Sequence, residues 1–252
     1  LSIYQSTSPS YVFLATMEAC IEKMNYERDG LFIIYKELLS EYRKRFAQLT
    51  HIHLVEESDF KKQSAYGYDD GKLVFSVKGC GYEQDGQVVR MTGTRLGTIL
   101  QEEYGQMMEM AGGNYVIAMT SVADSKEAFE ALYQAMESID ERLMNLEKSV
   151  DTSLYKTLPE HKMNIAEARE HKRQDVLFED AIGRISGDYI YVYPPGIPIV
   201  TPGEVLSLGV IQEIKAAMDN NLHMKGITYD QKGNAFVNVI RENRWLSRIQ
   251  RR

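Results

Sequence analysis

Strands that alternate with amphipathic helices place this sequence in the α/β class, in which helices cover a sheet. Three stretches carry that reading. Phe32, Tyr35, Leu38, Leu39, Tyr42 and Phe46 recur at helical spacing. "KLVFSVK" (72–78) and "NYVIAMTSV" (114–122) are runs of β-forming residues, the second so continuously apolar that burial on both faces is expected. Phe129, Leu132, Ala135, Met136, Ile139 and Leu143 fall on one side of a third helical stretch.

Taken in order, the hydroxyl-rich opening "LSIYQSTSPS" stops at Pro9-Ser10. A helix is expected from Tyr11 to about Leu49, capped by Ser8 or Ser10 and interrupted near Asp29-Gly30. "HIHLVEE" (51–57) alternates like a strand. Thr92-Gly93 opens the helix "TRLGTILQEEY", with Thr92 as its N-cap. Asp124 or Ser125 caps the amphipathic helix, which should run to about Lys148. Residues 149–163 read as a connector and "IAEAREHKRQDV" as a charged, solvated helix. "DYIYVY" (188–193) is a short strand, "GEVLSLGVIQEIKAAMDNN" a final helix, and "NAFVNVI" (234–240) a last strand. The basic end, "RENRWLSRIQRR", reads as a tail that is solvated or docks on an acidic face.

The bulk properties narrow the function. The 252 residues suffice for one large or two modest domains, and 44% hydrophobic content supplies a core. A net charge of −7 argues against nucleic acid as the main partner and is compatible with cationic ligands. Cys20 and Cys80 offer neither a disulfide framework nor metal-ligand spacing, which points to a reducing compartment and a cytoplasmic location. His51 and His53 share one face of the expected strand, but no cysteine or acid stands at ligand spacing, so no metal site is expected. The cluster Met107, Met108 and Met110 reads as packing. No apolar run reaches the roughly 18 residues a membrane span needs, and no signal peptide is evident. The chain opens on Leu1, which suggests a piece of a longer protein.

One segment stands apart. "YPPGIPIVTPGE" (193–204) holds four of the six prolines and ends on a carboxylate. Each proline fixes φ and removes a donor, and each preceding residue is driven to extended geometry. A stiff, nearly extended rod is expected from Tyr193 to Pro202, with Glu204 at or near the start of the next helix. Glu204 could then act as a helix-start acid, or as a carboxylate held at a ligand site.

"YIYVYPPGIPIVTPGE" resembles the proline-rich segment of the ornithine/lysine/arginine decarboxylases, which use pyridoxal phosphate (PLP). "QSTSPSYVFLATMEACIEKM" (5–24) resembles that family's "STSP-Y" stretch and the helix after it. "DDGKLVFSV…TGTRLGTILQEEYGQMMEMAGGNYVIAM" follows the order of its small domain. Together these cover most of residues 1–220. The resemblance implies the end of a PLP aminotransferase-like (fold type I) large domain with a mainly parallel sheet, followed by a smaller α/β domain. The corresponding division is 1–49 as the end of the large domain and its linking helix, and 50–252 as the small domain.

The family's PLP lysine precedes the "STSP-Y" stretch. Neither Lys162 nor Lys172, each behind a histidine, has the expected serine context, so no residue here is assigned to catalysis and the N-terminal half is expected to be missing. The resemblance implies that Ser6, Thr7 or Ser8 touches the cofactor phosphate across a homodimer interface, which suits hydroxyls before a helix start. It also implies that Glu204 meets the distal cation of lysine, arginine or ornithine, which a buried site must neutralise. The implied reaction is α-decarboxylation of a basic amino acid. A PLP aminotransferase-like enzyme and a non-catalytic binding or oligomerisation module are the alternatives.

Overall fold

A computed structural model describes residues 8–60, 66–146, 156–193, 196–220 and 222–241. In chain order the elements are α1 (Tyr11–Phe46), β1 (His53–Leu54), β2 (Lys72–Ser76), β3 (Cys80–Gln84), β4 (Gln87–Arg90), α2 (Gly93–Tyr104), β5 (Met110–Ala111), β6 (Tyr115–Met119), α3 (Lys126–Asp140) and β7 (Leu143–Asn145). There follow α4 (Ile165–Glu170), β8 (Arg173–Leu177), β9 (Ile190–Val192), β10 (Ile197–Val200), α5 (Leu208–Asp219), β11 (Met224–Lys225), β12 (Ile227–Tyr229) and β13 (Ala235–Ile240). The chain is thus a mixed helix-and-sheet fold, as its periodicities require.

Buried side chains gather in two clusters. The first runs from Leu39 to Leu143 and the second from Phe178 to Val239. The first surrounds a four-stranded sheet of order β1-β2-β6-β5 and a three-stranded sheet β4-β3-β7. The second surrounds β10-β9-β11 and β12-β13-β8. Every strand pair among the described residues is antiparallel, so the parallel sheet implied for a large domain is not among them. Where the two clusters meet, the Arg90 guanidinium donates to Asn220 Oδ1, and Thr94 Oγ1 donates to the Asn220 carbonyl at 3.5 Å.

The expected apolar face of α1 divides along its length. Leu39, Tyr42 and Phe46 are buried, with Tyr35 and Leu38 packed beside them. Phe46 meets Phe75 edge-on at 4.9 Å and Tyr42 stacks on Phe129 at 5.3 Å, geometries that suit the ring quadrupoles. Arg43, Lys44 and Arg45 occupy the last turn, where cations complement the helix dipole. Upstream, Tyr11, Val12, Phe13, Leu14, Met17 and Ile21 are all exposed. No break occurs at Gly30, contrary to expectation. One exposed glycine costs about 1 kcal/mol, which a helix of 36 residues absorbs.

Two carboxylates bind α1 to the rest of the first unit. Asp140, at the end of α3, is 5% exposed and accepts the N–H groups of Thr50 at 2.7 Å, His51 at 2.8 Å and Ile52 at 2.6 Å. Glu130 takes both Arg45 guanidinium nitrogens, one of them at 3.0 Å, and the Tyr42 hydroxyl at 2.7 Å. Arg45 also lies over the Tyr133 ring at 3.9 Å and the Tyr42 ring at 4.9 Å.

Four further expectations are corrected. The strand at 51–57 shortens to His53–Leu54, because the preceding amides are spent on Asp140. The strand in 114–122 alternates between half-buried and buried residues and so buries one face fully. The helix begun at Ser125, whose Oγ accepts the Ala128 N–H at 3.3 Å, ends at Asp140 rather than near 148. Leu143–Asn145 leave it to pair with β3. The charged helix ends at Glu170, and Arg173–Leu177 form a strand paired along five residues with β13, a case of tertiary pairing overriding local charge pattern. The basic end beyond Arg241 lies outside the described residues.

Two outcomes follow from the carboxylates. Asp140→Ala leaves three neighbouring amides without their acceptor and should lower stability by about 3 kcal/mol or more, read by chemical denaturation. Glu130 is held at about 2, first by its bond from Arg45 and then by that from Tyr42. A depressed carboxylate stabilises fully above its unfolded value and loses that contribution as pH falls through the folded one. The stability advantage of the wild type over Glu130→Gln should therefore be complete above about pH 4.5, shrink towards pH 2 and vanish below it, as followed by acid denaturation of both proteins.

Candidate functional site

The proline segment is not a rod. β9 and β10 pair antiparallel, Ile197 with Val192 and Pro198 with Tyr191, so the chain turns back on itself in a hairpin. Gly196 closes the turn at φ 94°, its N–H donating to the Val192 carbonyl at 3.0 Å. Pro194 and Pro195 lie outside the described residues. Pro198 sits on the edge strand of this sheet, with a register shift between it and Val200, where a missing donor is tolerated.

After β10 the chain makes a tight turn that presents Glu204. The Glu204 N–H reaches the Thr201 carbonyl at 3.2 Å, and the Thr201 N–H donates to Glu204 Oε2 at 2.7 Å. Pro202 and Gly203 are buried beneath the turn. Gly203 has φ 96°, and a Cβ built there would lie 2.1 Å from the Met163 carbonyl oxygen, so only glycine fits both the conformation and the space.

Two extended segments then bracket residues 203–206. On one side Lys162 and Met163 donate to the Gly203 carbonyl at 3.0 and 3.3 Å, and Val205 donates to the Glu160 carbonyl at 2.9 Å. On the other, Gly203 donates to Ser186, Ser186 to Glu204 and Leu206 to Arg184, at 2.8–2.9 Å. His161 and Glu204 form an antiparallel bridge, as do Ile185 and Val205. The expected connector 149–163 is thus, in its described part, a strap that holds the turn. No pattern of period 2 or 3.6 announces it, because its bonds run through the backbone.

Glu204 is half-buried and does not start a helix, contrary to expectation. The N-cap of α5 is Ser207, whose Oγ accepts the Val210 N–H at 3.3 Å. Among the described residues Oε1 of Glu204 takes no hydrogen bond, while Oε2 is spent on its own turn. One carboxylate oxygen thus holds the conformation and the other is available to a cationic group.

The other singled-out residues lie apart from this turn. Ser6 and Thr7 fall outside the described residues; Ser8 is exposed ahead of α1. Ser10 occupies the N-cap position of α1 without a side-chain cap bond. Thr92 caps α2 as expected, accepting the Arg95 N–H at 3.1 Å. His51 Nδ1 lies 3.3 Å from Asn145 Oδ1, and His53 Nε2 lies 2.8 Å from Asp59 Oδ2. Asp59 is held below the usual carboxylate range by the Glu56 N–H and then by His53. Among the described residues no three histidine, cysteine or acidic side chains gather at metal-binding distance. Met108 packs on the first cluster and Met107 is exposed. Cys80 is buried, donates to the His51 carbonyl at 3.2 Å and has its thiol pushed up to about 11, first by burial and then by the charge of Asp140. No helix among the described residues is long and apolar enough to cross a membrane.

Comparison with known proteins agrees with this layout. Residues 148–244, which contain the hairpin, the turn and the strap, match the family profile "Orn/Lys/Arg decarboxylase, C-terminal domain". The chain is 24% identical over 228 residues to an arginine decarboxylase of Bacillus anthracis and 26% identical over 228 residues to one of Bacillus subtilis (strain 168). Each alignment takes in 90% of this chain but only 44% and 45% of those proteins. The chain therefore spans less than half the length of the curated relatives it matches. In three dimensions it resembles the constitutive lysine decarboxylase of E. coli, with TM-score 0.71 and 18% identity, covering 95% of this chain and 45% of that one. A lysine decarboxylase of Francisella novicida superposes with the same TM-score at 16% identity, covering 95% of this chain and 44% of that one. Residues 148–244 are thus similar to the C-terminal domain of the Orn/Lys/Arg decarboxylases, and the chain as a whole is similar to part of the arginine decarboxylases.

Proposed function

We propose that this chain is the substrate-reading part of a longer enzyme that removes carbon dioxide from a basic amino acid: lysine, arginine or ornithine. The likeness to arginine decarboxylases along 90% of the chain carries the reading. Glu204 gives it chemistry. The distal cation of such a substrate needs an opposite charge once it leaves water, and Oε1 of a carboxylate fixed by its own turn meets that need with little reorganisation. The product would be a polyamine or its precursor.

The cofactor of this reading is PLP, but the described residues do not fit its covalent site. Lys162 lies at the surface with Nζ 2.5 Å from Glu160 Oε1, and Lys172 is exposed. The lysine that holds the cofactor would lie in a preceding half, and no catalytic step is assigned to the residues of this chain. Ser6, Thr7 and Ser8 would contribute to the phosphate site of a partner subunit in a homodimer. The uncapped start of α1 supports this, since its first N–H groups are not taken by Ser10.

The division of the chain near residue 49 belongs to the same reading. Tyr11, Val12, Phe13 and Leu14 follow one another at 100° steps around α1, and all four are exposed. A helix turn that is apolar on every side is one that is buried in its working state. The preceding half would cover it, leaving residues after 49 as the smaller domain. A cytoplasmic location is consistent with two unpaired cysteines.

Kinetics of the complete enzyme test the role of Glu204. Glu204→Gln keeps an acceptor for the Thr201 N–H and removes the charge. It should lower kcat/KM for the basic substrate by about 10- to 150-fold, whereas a value within about twofold of wild type in a folded variant would rule out the contact. Gly203→Ala adds a Cβ to a left-handed position against the Met163 carbonyl. It should destabilise the domain by about 2 kcal/mol or more, as measured by denaturant midpoint.

A further inference from the structure

Glu213 projects from the second turn of α5, and nothing in the sequence sets it apart from the other polar positions of that helix. Its Oε1 accepts the Thr157 N–H at 2.6 Å. Its Oε2 is sealed from solvent and has no partner among the described residues. A carboxylate oxygen left in that state is costly, so a side chain serving only to fill the space would be apolar. Thr157 is also pressed on the first turn of α5: a Cβ on Gly209 would lie 3.1 Å from its Oγ1.

Thr157 is where the strap described above begins. Three residues further on, Glu160 takes the Val205 N–H, and Lys162 and Met163 take hold of the Gly203 carbonyl. The turn that aims Glu204 is therefore bracketed by a segment whose own start is tied to α5 through one carboxylate. Loosening that tie frees the strap at one end while leaving the β8–β13 pairing and the α5 core face untouched.

We propose that Glu213 is a positioning residue for Glu204, acting through the 157–163 strap. Its link to catalysis rests on the reading of Glu204 as the substrate contact; its link to the turn does not. Hydrogen exchange read by mass spectrometry on the complete protein separates the two. Glu213→Ala should speed exchange at Lys162, Met163 and Val205 by about tenfold or more, with β13 unchanged. Glu213→Gln, which keeps an oxygen for the Thr157 N–H, should exchange like wild type. Unchanged protection at Val205 in a folded Glu213→Ala protein would overturn the proposal, as would an equal loss throughout β13, which would mark a general structural role. If Glu213→Ala does not fold, Thr157→Pro deletes the donated N–H from the other side and is read in the same way. In steady-state kinetics, Glu213→Ala should raise KM for the basic amino acid several-fold with kcat within about twofold. Faster exchange at the turn with an unchanged KM would keep the strap and remove Glu204 from the substrate.

Discussion

Asp140 gathers the N–H groups of three consecutive residues on one carboxylate, and the first half of the molecule is arranged around that grip. Thr50, His51 and Ile52 are the residues through which α1 passes into β1. Without an acceptor their amides would be stranded at the edge of a core that contains Ile52 and Leu54. The acceptor comes from the last residue of α3, so the exit of one helix is fixed by the end of another, 88 to 90 residues on. The Arg45–Glu130 pair and the rings around it make a second contact between α1 and α3, with Arg45 five residues before Thr50 and Glu130 nearly three turns before Asp140 in α3. Two points of attachment set a direction, and α1 leaves the core along a defined axis.

The second half is organised differently. Its critical contacts are between backbone groups: segments 160–163, 183–186 and 203–206 lie side by side and satisfy one another. Side chains act at the margins of this arrangement, Glu213 at the start of the strap and Glu204 on its own turn. A carboxylate supported in this way keeps its place regardless of rotamer changes nearby, a property that suits the substrate contact proposed for Glu204. The two halves touch through Arg90, Thr94 and Asn220, a polar contact at the C-terminal end of α5, where a guanidinium also complements the helix dipole.

Much of this was legible in the sequence wherever a side-chain period reports burial. Leu39, Tyr42 and Phe46 on α1, and Phe129 through Ile139 on α3, are buried as their spacing demands. The strand at 72–76 and the last strand fall within the stretches that predict them. The period fails where pairing partners decide. Arg173–Leu177 carry the composition of a solvated helix, yet β13 offers five paired residues. The prolines restrain φ, but φ restraints say nothing of direction, and the turn at Gly196 replaces the expected rod with a hairpin. Glu204 stood out as an acid after a proline-glycine turn, whereas the strap beneath it carries no pattern because backbone groups are common to all residues. Ser6 and Thr7, chosen from a resemblance, lie outside the described residues and keep the standing of a proposal.

Pro198 has a consequence beyond the turn it precedes. Among the described residues β10 pairs only with β9, at the edge of its sheet, the place where an incoming strand would have to match a row of backbone groups. A proline in the middle of that row presents a ring where a donor is required, and the shift in register before Val200 bends the remainder out of line. The sheet is therefore closed to extension on this side. The proline in β10 thus works against strand-by-strand growth at this edge, without drawing on any side chain of the neighbouring core.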